Sequence, residues 1–318
     1  MSRKSGLPPG PKAPRRYQQW RLKTDPVGFV ESNAERYGGV FTIRLAPGDT
    51  CVVATLPGDI EAVLRDRDRF SRGEASGHSN AAAGEGSRDR IEGTEDVAEA
   101  EFERLPSGER IALLPAMQRI VNPRALPERE AMAVALAWAG ERLSRYLQVQ
   151  QVLAAELDAG GDAYLEAVLQ ETLRTRPPAL ERIHIAVADT ELGGHPIPAG
   201  TRVLPMPCVV NRRPDIWGDA LCFRPQRFLE GGPLPHSFAP MPRWSGAASA
   251  GADARIVLKA MLGRFHLEQA RALEERMRLS GTTLVPAKGG LVVLRPRDPR
   301  PRAGTPQGEF WPGLVFSR

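Results

Sequence analysis

The chain has 318 residues, 42% of them hydrophobic and 25% charged, with a formal net charge of +5. That composition suits a protein with a real core, holding one large domain or two ordinary ones. No apolar run approaches the roughly 20 residues that span a bilayer, and three cysteines, Cys51, Cys208 and Cys222, are too few and too scattered for a disulfide framework or a zinc site.

Residues 1–16 carry basic residues but no apolar signal core, and from residue 8 they are proline-rich, which suits an extended lead-in. A cytoplasmic protein with reduced thiols is expected. Residues 17–73 form a first unit. Gln18 to Tyr37 reads as one helix with Trp20, Phe29, Val30 and Ala34 as apolar points, stopped by Gly38-Gly39. Val40–Arg44 and Cys51–Thr55 alternate as strands joined through Pro47-Gly48-Asp49, and Asp59 to Arg65 is a short helix. Over 74–104 the pattern fails. So small and polar a stretch buries too little to offset its ordering entropy, so loop or disorder is expected.

Residues 105–297 carry the remaining signals. Order resumes at Ala112–Met117, and Glu128 to Leu157 is the longest helical pattern, with Leu136 and Trp138 followed by Leu143, Tyr146, Val149, Leu153 and Leu157 at three- and four-residue steps. Ala163 to Arg176 is a second helix, ended by Pro177-Pro178. Strands Ile183–Ala188 and Thr201–Leu204 come next, around a Gly193-Gly194 turn. Beyond the irregular Asn211–Phe228 come a helix from about Ala247 to Arg264 and a hairpin, with Thr282–Pro286 and Leu291–Leu294 flanking Lys288-Gly289-Gly290. Residues 298–318 form a tail without pattern. The fold class read from this succession is α+β, mainly α with smaller β-sheets. The positive charge reads as an arginine excess spread over the length, and no nucleic-acid motif with aromatic interleaving accompanies it.

Glu171 and Arg174 lie one turn apart on a helix and share a face. Alone, E-x-x-R is a weak signal. It gains weight from four segments that succeed it in order: Leu173-Arg-Thr-Arg-Pro-Pro178, the turn-rich Leu192–Thr201, Asn211–Trp217, and Phe223-Arg-Pro-Gln-Arg-Phe-Leu229. That set resembles the cytochrome P450 core from its K helix to its meander, with Gln226 where the family's P-E-R-F has glutamate. Thr282–Leu294 resembles the family's C-terminal hairpin, and Leu7–Pro11, Tyr37–Thr42 and Asp68–Phe70 resemble its opening elements. The resemblance covers roughly residues 7–73 and 130–297, with a weaker patch near 105–120. It implies a truncated P450 fold, haem b as cofactor, a small hydrophobic substrate oxidised with electrons from a redox partner, and a buried triad in which Arg174 and Arg227 clamp Glu171.

Departures from the family pattern fall where its chemistry is done. The haem loop F-x-x-G-x-R-x-C-x-G corresponds to Ser237–Ala248, and counting back from Arg255–Leu258 puts Gly246 at the last glycine, Trp244 at the cysteine and Pro242 at the arginine. An indole offers iron no lone pair, so Trp244 leaves the metal without its thiolate, whose electron push favours O–O cleavage. Cys208 and Cys222 lie upstream of the loop, and His236 beside Pro235 reads as a surface histidine. Ala135-Leu-Ala-Trp-Ala139 resembles the second half of the I helix. In that register Glu130 matches the acid of the acid–alcohol pair while Ala131 replaces the threonine, removing the shortest proton relay. Arg182 or His184 matches a propionate-binding position on the strand after the K helix. The C helix and the helices that roof the substrate pocket are not recognisable. The expectation is a P450-like protein unable to act as a haem-thiolate monooxygenase: a scaffold with a protein partner, or a decayed relic. The alternative is a functional monooxygenase that binds haem and a small hydrophobic substrate.

Overall fold

Pro26 divides what the sequence offers as one N-terminal helix. In the computed structural model, which describes residues 6–46, 49–72, 93–121, 127–178, 180, 183–231, 249–281 and 283–297, helix α1 (Arg15–Thr24) stops one residue before α2 (Pro26–Tyr37). Asp25 has non-helical dihedrals and its carboxylate accepts the Gly28 N–H at 3.3 Å. Proline at the first helical position sits where no donor is needed, so the Asp-Pro pair starts a new helix rather than kinking an old one.

The elements continue as β1 (Val40–Ala46), β2 (Asp49–Ala54), α3 (Pro57–Arg65) and β3 (Phe70–Arg72). Then come α4 (Thr94–Glu103), β4 (Arg110–Ala112), α5 (Leu113–Val121), α6 (Pro127–Arg145), α7 (Leu147–Asp158) and α8 (Ala163–Thr175). After them run β5 (His184–Ala186), β6 (Thr190–Leu192), β7 (His195–Ile197), β8 (Arg202–Pro205), α9 (Pro207–Val210) and α10 (Pro214–Trp217). The last are α11 (Ser249–Arg264), β9 (Phe265–Gln269), β10 (Met277–Ser280), β11 (Thr283–Pro286) and β12 (Leu291–Pro296). The architecture is α+β and mainly helical. Among the described residues its sheets have the orders β1-β2-β8-β5-β3, β4-β12-β9, β10-β11 and β6-β7.

The largest core forms around α6. Every residue from Ala131 to Ser144 is buried, as α6 packs against α5, α8, α11, β9, β11 and β12. A helix apolar on all sides has no solvent face to show and belongs in the middle of a layer. Trp138 is wholly buried there and donates its indole N–H to the Leu284 carbonyl at 3.1 Å. The lead-in covers the edge of β1: Thr42 donates its N–H to Pro9 at 3.0 Å and its hydroxyl to Pro8 at 2.7 Å.

Three further expectations are corrected. Within 74–104, residues 94–103 are helical. Ala98 and Phe102 of α4 are buried, Phe102 meets Phe265 edge-on at 6.2 Å, and buried Glu101 is paired with Arg119 at 2.6 Å. Residues 73–92 lie outside the described residues. The long helix from Glu128 to Leu157 is two, because Tyr146 leaves the helical region (φ −105°, ψ 71°) and packs its ring 5.3 Å from Phe223. The Gln150 side chain fixes the bend, donating to the Leu143 and Leu267 carbonyls and accepting the Leu267 N–H. Finally, Thr283–Pro286 and Leu291–Pro296 do not pair as a hairpin. β11 pairs with β10, while β12 pairs with β4 and β9. The buried Glu275 carboxylate separates them, accepting the N–H groups of Lys288, Gly290 (3.3 Å) and Leu291 (3.0 Å) and so shaping a turn that redirects the chain.

Candidate functional site

α8 is started by a neighbour. The Glu156 carboxylate of α7 accepts the N–H groups of Tyr164 at 2.9 Å and Leu165 at 3.2 Å, supplying the acceptors that a helix start lacks. One face of α8 then turns inward with Leu165, Val168 and Leu169, and the same side carries Glu171 and Arg174, both 0% exposed.

Burying an ion pair is tolerable only when every donor and acceptor is used. Arg174 grips Glu171 bidentately, Nε to Oε2 and Nη2 to Oε1, both at 2.7 Å. Its remaining N–H groups go to the carbonyls of Asn211 (2.6 Å), Ala220 (2.8 Å) and Cys222 (3.1 Å). Oε1 also accepts the Arg224 N–H at 2.8 Å and Arg227 Nε at 3.2 Å. Arg227 in turn donates to the Trp217 and Asp219 carbonyls at 2.9 and 3.2 Å. The Trp217 ring lies 5.0 Å from the Arg174 guanidinium carbon and 5.8 Å from that of Arg227, adding cation–π attraction. The cluster therefore joins α8 to the segment 211–228 by five hydrogen bonds and leaves Arg174 no N–H for a ligand. Gln226, in the family's glutamate position, donates to the Tyr164 hydroxyl at 2.9 Å. Burial pushes that phenol up to about 12, so it stays protonated.

The other expected residues are placed separately. Glu130 lies in the first turns of α6, where both carboxylate oxygens accept from Gln118 Nε2 at 3.2 and 3.4 Å. Ala131 beside it is buried and brings no hydroxyl. His184 is buried on β5, in register with Arg72 and Val203. Arg182 and Trp244 lie outside the described residues, as do Pro242, His236 and Gly246.

A second buried charge cluster was not expected. Glu141 accepts Arg142 Nε at 2.7 Å and Arg145 Nε at 2.5 Å. Arg142 and Arg176 then reach across to the half-exposed Glu274 at 3.0 and 2.8 Å. Arg145 donates to the carbonyls of Arg271, Ala272 and Leu273 at 3.2, 3.2 and 2.6 Å, and Arg176 lies 5.3 Å over the Trp138 ring. Burial presses the Glu274 carboxyl upward, but the Arg142 and Arg176 charges outweigh it and hold it below the usual glutamate value. Burial, with Arg142 nearby, brings Arg176 down to about 10, still cationic at neutral pH. The i,i+4 spacing of Glu141 and Arg145 is visible in the sequence; Glu274 is joined to them only by folding.

The cysteines test the fit to a thiolate-held haem. Cys51 on β2 and Cys208 on α9 are buried, and burial pushes both thiols up to about 12, the wrong direction for a thiolate ligand. Cys222 is exposed, with its carbonyl held by Arg174 in the segment before the 3-10 turn Pro225–Phe228. No group of three or more His, Cys, Asp or Glu that could hold a metal occurs among the described residues. Neither buried cysteine fits a thiolate ligand to haem iron.

A buried core helix, a second helix bearing a fully saturated Glu-x-x-Arg pair, and an arginine from a Pro-x-Arg-Phe turn closing on that glutamate define the P450 type of scaffold. The family model "Cytochrome P450" matches residues 130–246, from the start of α6 through the arginine clamp. The Mycobacterium tuberculosis protein named "Putative cytochrome P450 137" is 31% identical over 175 residues, 54% of this chain and 37% of its own length. "Putative cytochrome P450 138" of Mycobacterium bovis is 34% identical over 175 residues, 53% and 39% of the two chains. The chain is similar to cytochrome P450 proteins over residues 130–246 and spans about two-fifths of the length of these relatives. No helix among the described residues is long and apolar enough to cross a membrane.

Proposed function

We propose that this chain is a P450-family protein that does not act as a haem-thiolate monooxygenase and serves in the cytoplasm as a folded scaffold acting through a protein partner. One observation carries the reading. Cys222 is the last cysteine of the sequence, so none lies between the Pro225–Phe228 turn and residue 318, and in the register counted back from Arg255–Leu258 Trp244 takes the place of the family's ligand. Without a thiolate the electron push that splits dioxygen is gone. Two further features support it. Ala131 replaces the proton-relaying hydroxyl, and the parts that hold the fold together, the Glu171 clamp and the buried α6, are complete.

The test is an absorption spectrum of the purified chain after haem supplementation, reduced under carbon monoxide. No thiolate-type Soret band is expected. Partner capture and a cooperative melt then separate the scaffold from a relic: a chain that aggregates and holds no partner rejects the scaffold.

A further inference from the structure

Arginine is spread over the whole length of this protein, but the net positive charge is carried by its N-terminal segment. Residues 1–24 contain 7 of its 43 Lys and Arg and none of its 38 Asp and Glu, so the other 36 cations and 38 acids leave the remainder at −2. Four of those seven cations, Arg15, Arg16, Arg21 and Lys23, belong to α1. The helix is rooted by Gln18, wholly buried, which donates to the Pro11 and Ala13 carbonyls at 3.1 and 2.8 Å and accepts the Arg44 N–H of β1 at 3.0 Å. Leu22, one turn on, is buried beside it. With that side fixed inward, Arg16, Tyr17, Trp20 and Lys23 are exposed. Tyr17 is 50% and Trp20 56% exposed, and their rings pack on each other at 5.9 Å. Arg21 has an acidic partner, Asp25 at 3.3 Å.

We propose that the outer face of α1 docks on an anionic phospholipid surface, with the helix lying along the bilayer, the two rings at headgroup depth and the cations meeting lipid phosphates. Tyr and Trp are the residues that prefer that depth, having an apolar body and a polar edge, and each nearby cation adds attraction to an anionic leaflet. The face fits lipid better than an acidic protein or a nucleic acid. Its rings lie against each other, tilted at 41°, on the outer side of the helix, and α1 has no acidic residue to give a partner register. The proposal does not depend on whether haem binds.

The full-length protein is mixed with phosphatidylcholine vesicles with and without phosphatidylglycerol, and pelleting and quenching of tryptophan emission by brominated lipid are read. The protein should pellet only with anionic vesicles, less so as salt rises, and quenching should disappear in W20F. R16Q/K23Q should lower the partition coefficient about 25-fold, at roughly fivefold per cation. Y17A/W20A, with unchanged charge, should lower it on the order of tenfold. R104Q/R110Q, which removes two cations from α4's end and β4, should leave it unaltered, and all variants should melt like the parent. No pelleting with anionic vesicles overturns the proposal. So does equal loss in R16Q/K23Q and R104Q/R110Q, or pelleting that Y17A/W20A leaves intact. Preferential capture of the protein by a nucleic-acid homopolymer in competition with the vesicles would also overturn it.

Discussion

Replacing Glu171 with glutamine keeps the volume of a wholly buried side chain and removes its charge. In the native cluster the two carboxylate oxygens accept four N–H groups, from Arg174 Nε and Nη2, Arg227 Nε and the Arg224 backbone, at 2.7–3.2 Å. An amide offers one oxygen and points its own NH2 at a guanidinium donor, leaving Arg174 as a buried cation held only by carbonyls. Breaking one side of a buried pair in this way costs about 3–5 kcal/mol, against a total stability of about 5–15 kcal/mol for a typical fold. At about 2–4 °C per kcal/mol the melting temperature should fall by about 6–20 °C, read by circular dichroism and checked by urea titration. Removing both charges in E171L/R174M should recover only part of the loss, because the carbonyls of Asn211, Ala220 and Cys222 then lack their donor. A loss in E171Q below about 1 kcal/mol would refute the claim that this clamp holds α8 to the 211–228 segment.

The same geometry gives further expected outcomes. E275A takes the acceptor from three backbone N–H groups in the 288–291 turn and should cost about 2–4 kcal/mol, with faster amide exchange at Lys288, Gly290 and Leu291; unchanged exchange would contradict the assignment. G10A places a Cβ 1.9 Å from the Thr42 carbonyl oxygen, lifting the lead-in from β1. Losing its two hydrogen bonds to Thr42 should cost about 2 kcal/mol, and the Thr42 amide should exchange faster. Because Glu274 titrates below its ordinary value in the fold, the stability it contributes is complete above the ordinary carboxylate range and is lost as pH falls through the depressed pKa. Glu274 is half-exposed, so its share is at most about 1 kcal/mol. Urea midpoints of E274Q should accordingly decline less steeply than the parent's between about pH 7 and pH 3; parallel curves would show that Arg142 and Arg176 do not hold it.

What the sequence disclosed depended on how far apart the interacting residues lie. Glu171 and Arg174 are neighbours on one helix, and Pro225–Phe228 comes after them in a recognisable order, so the clamp is legible without its geometry. The Asp25-Pro26 helix start is equally local, but Trp20, Phe29 and Val30 mask it by continuing one apolar stripe. The break at Tyr146 has no Gly or Pro to announce it; Gln150 makes it by bonding to Leu267, more than a hundred residues on. Helix α4 shows few apolar residues, and its Glu101 becomes comfortable in the interior only through Arg119. The strands β11 and β12 flank a Gly-Gly turn as a hairpin would, yet Glu275 and the partner strands β10, β4 and β9 decide otherwise. The second charge cluster draws on α6, α8 and the 270–276 segment, and that convergence is a product of the fold.

The proposed P450-like scaffold, without haem-thiolate chemistry, should leave a plain spectroscopic signature. The deciding experiment is the reduced, carbon monoxide-treated absorption spectrum of the haem-supplemented protein, taken alongside a C222A variant. Neither protein should show a thiolate-type Soret band. A band at the thiolate position in the parent would overturn the reading, and its loss in C222A would identify the sulfur responsible.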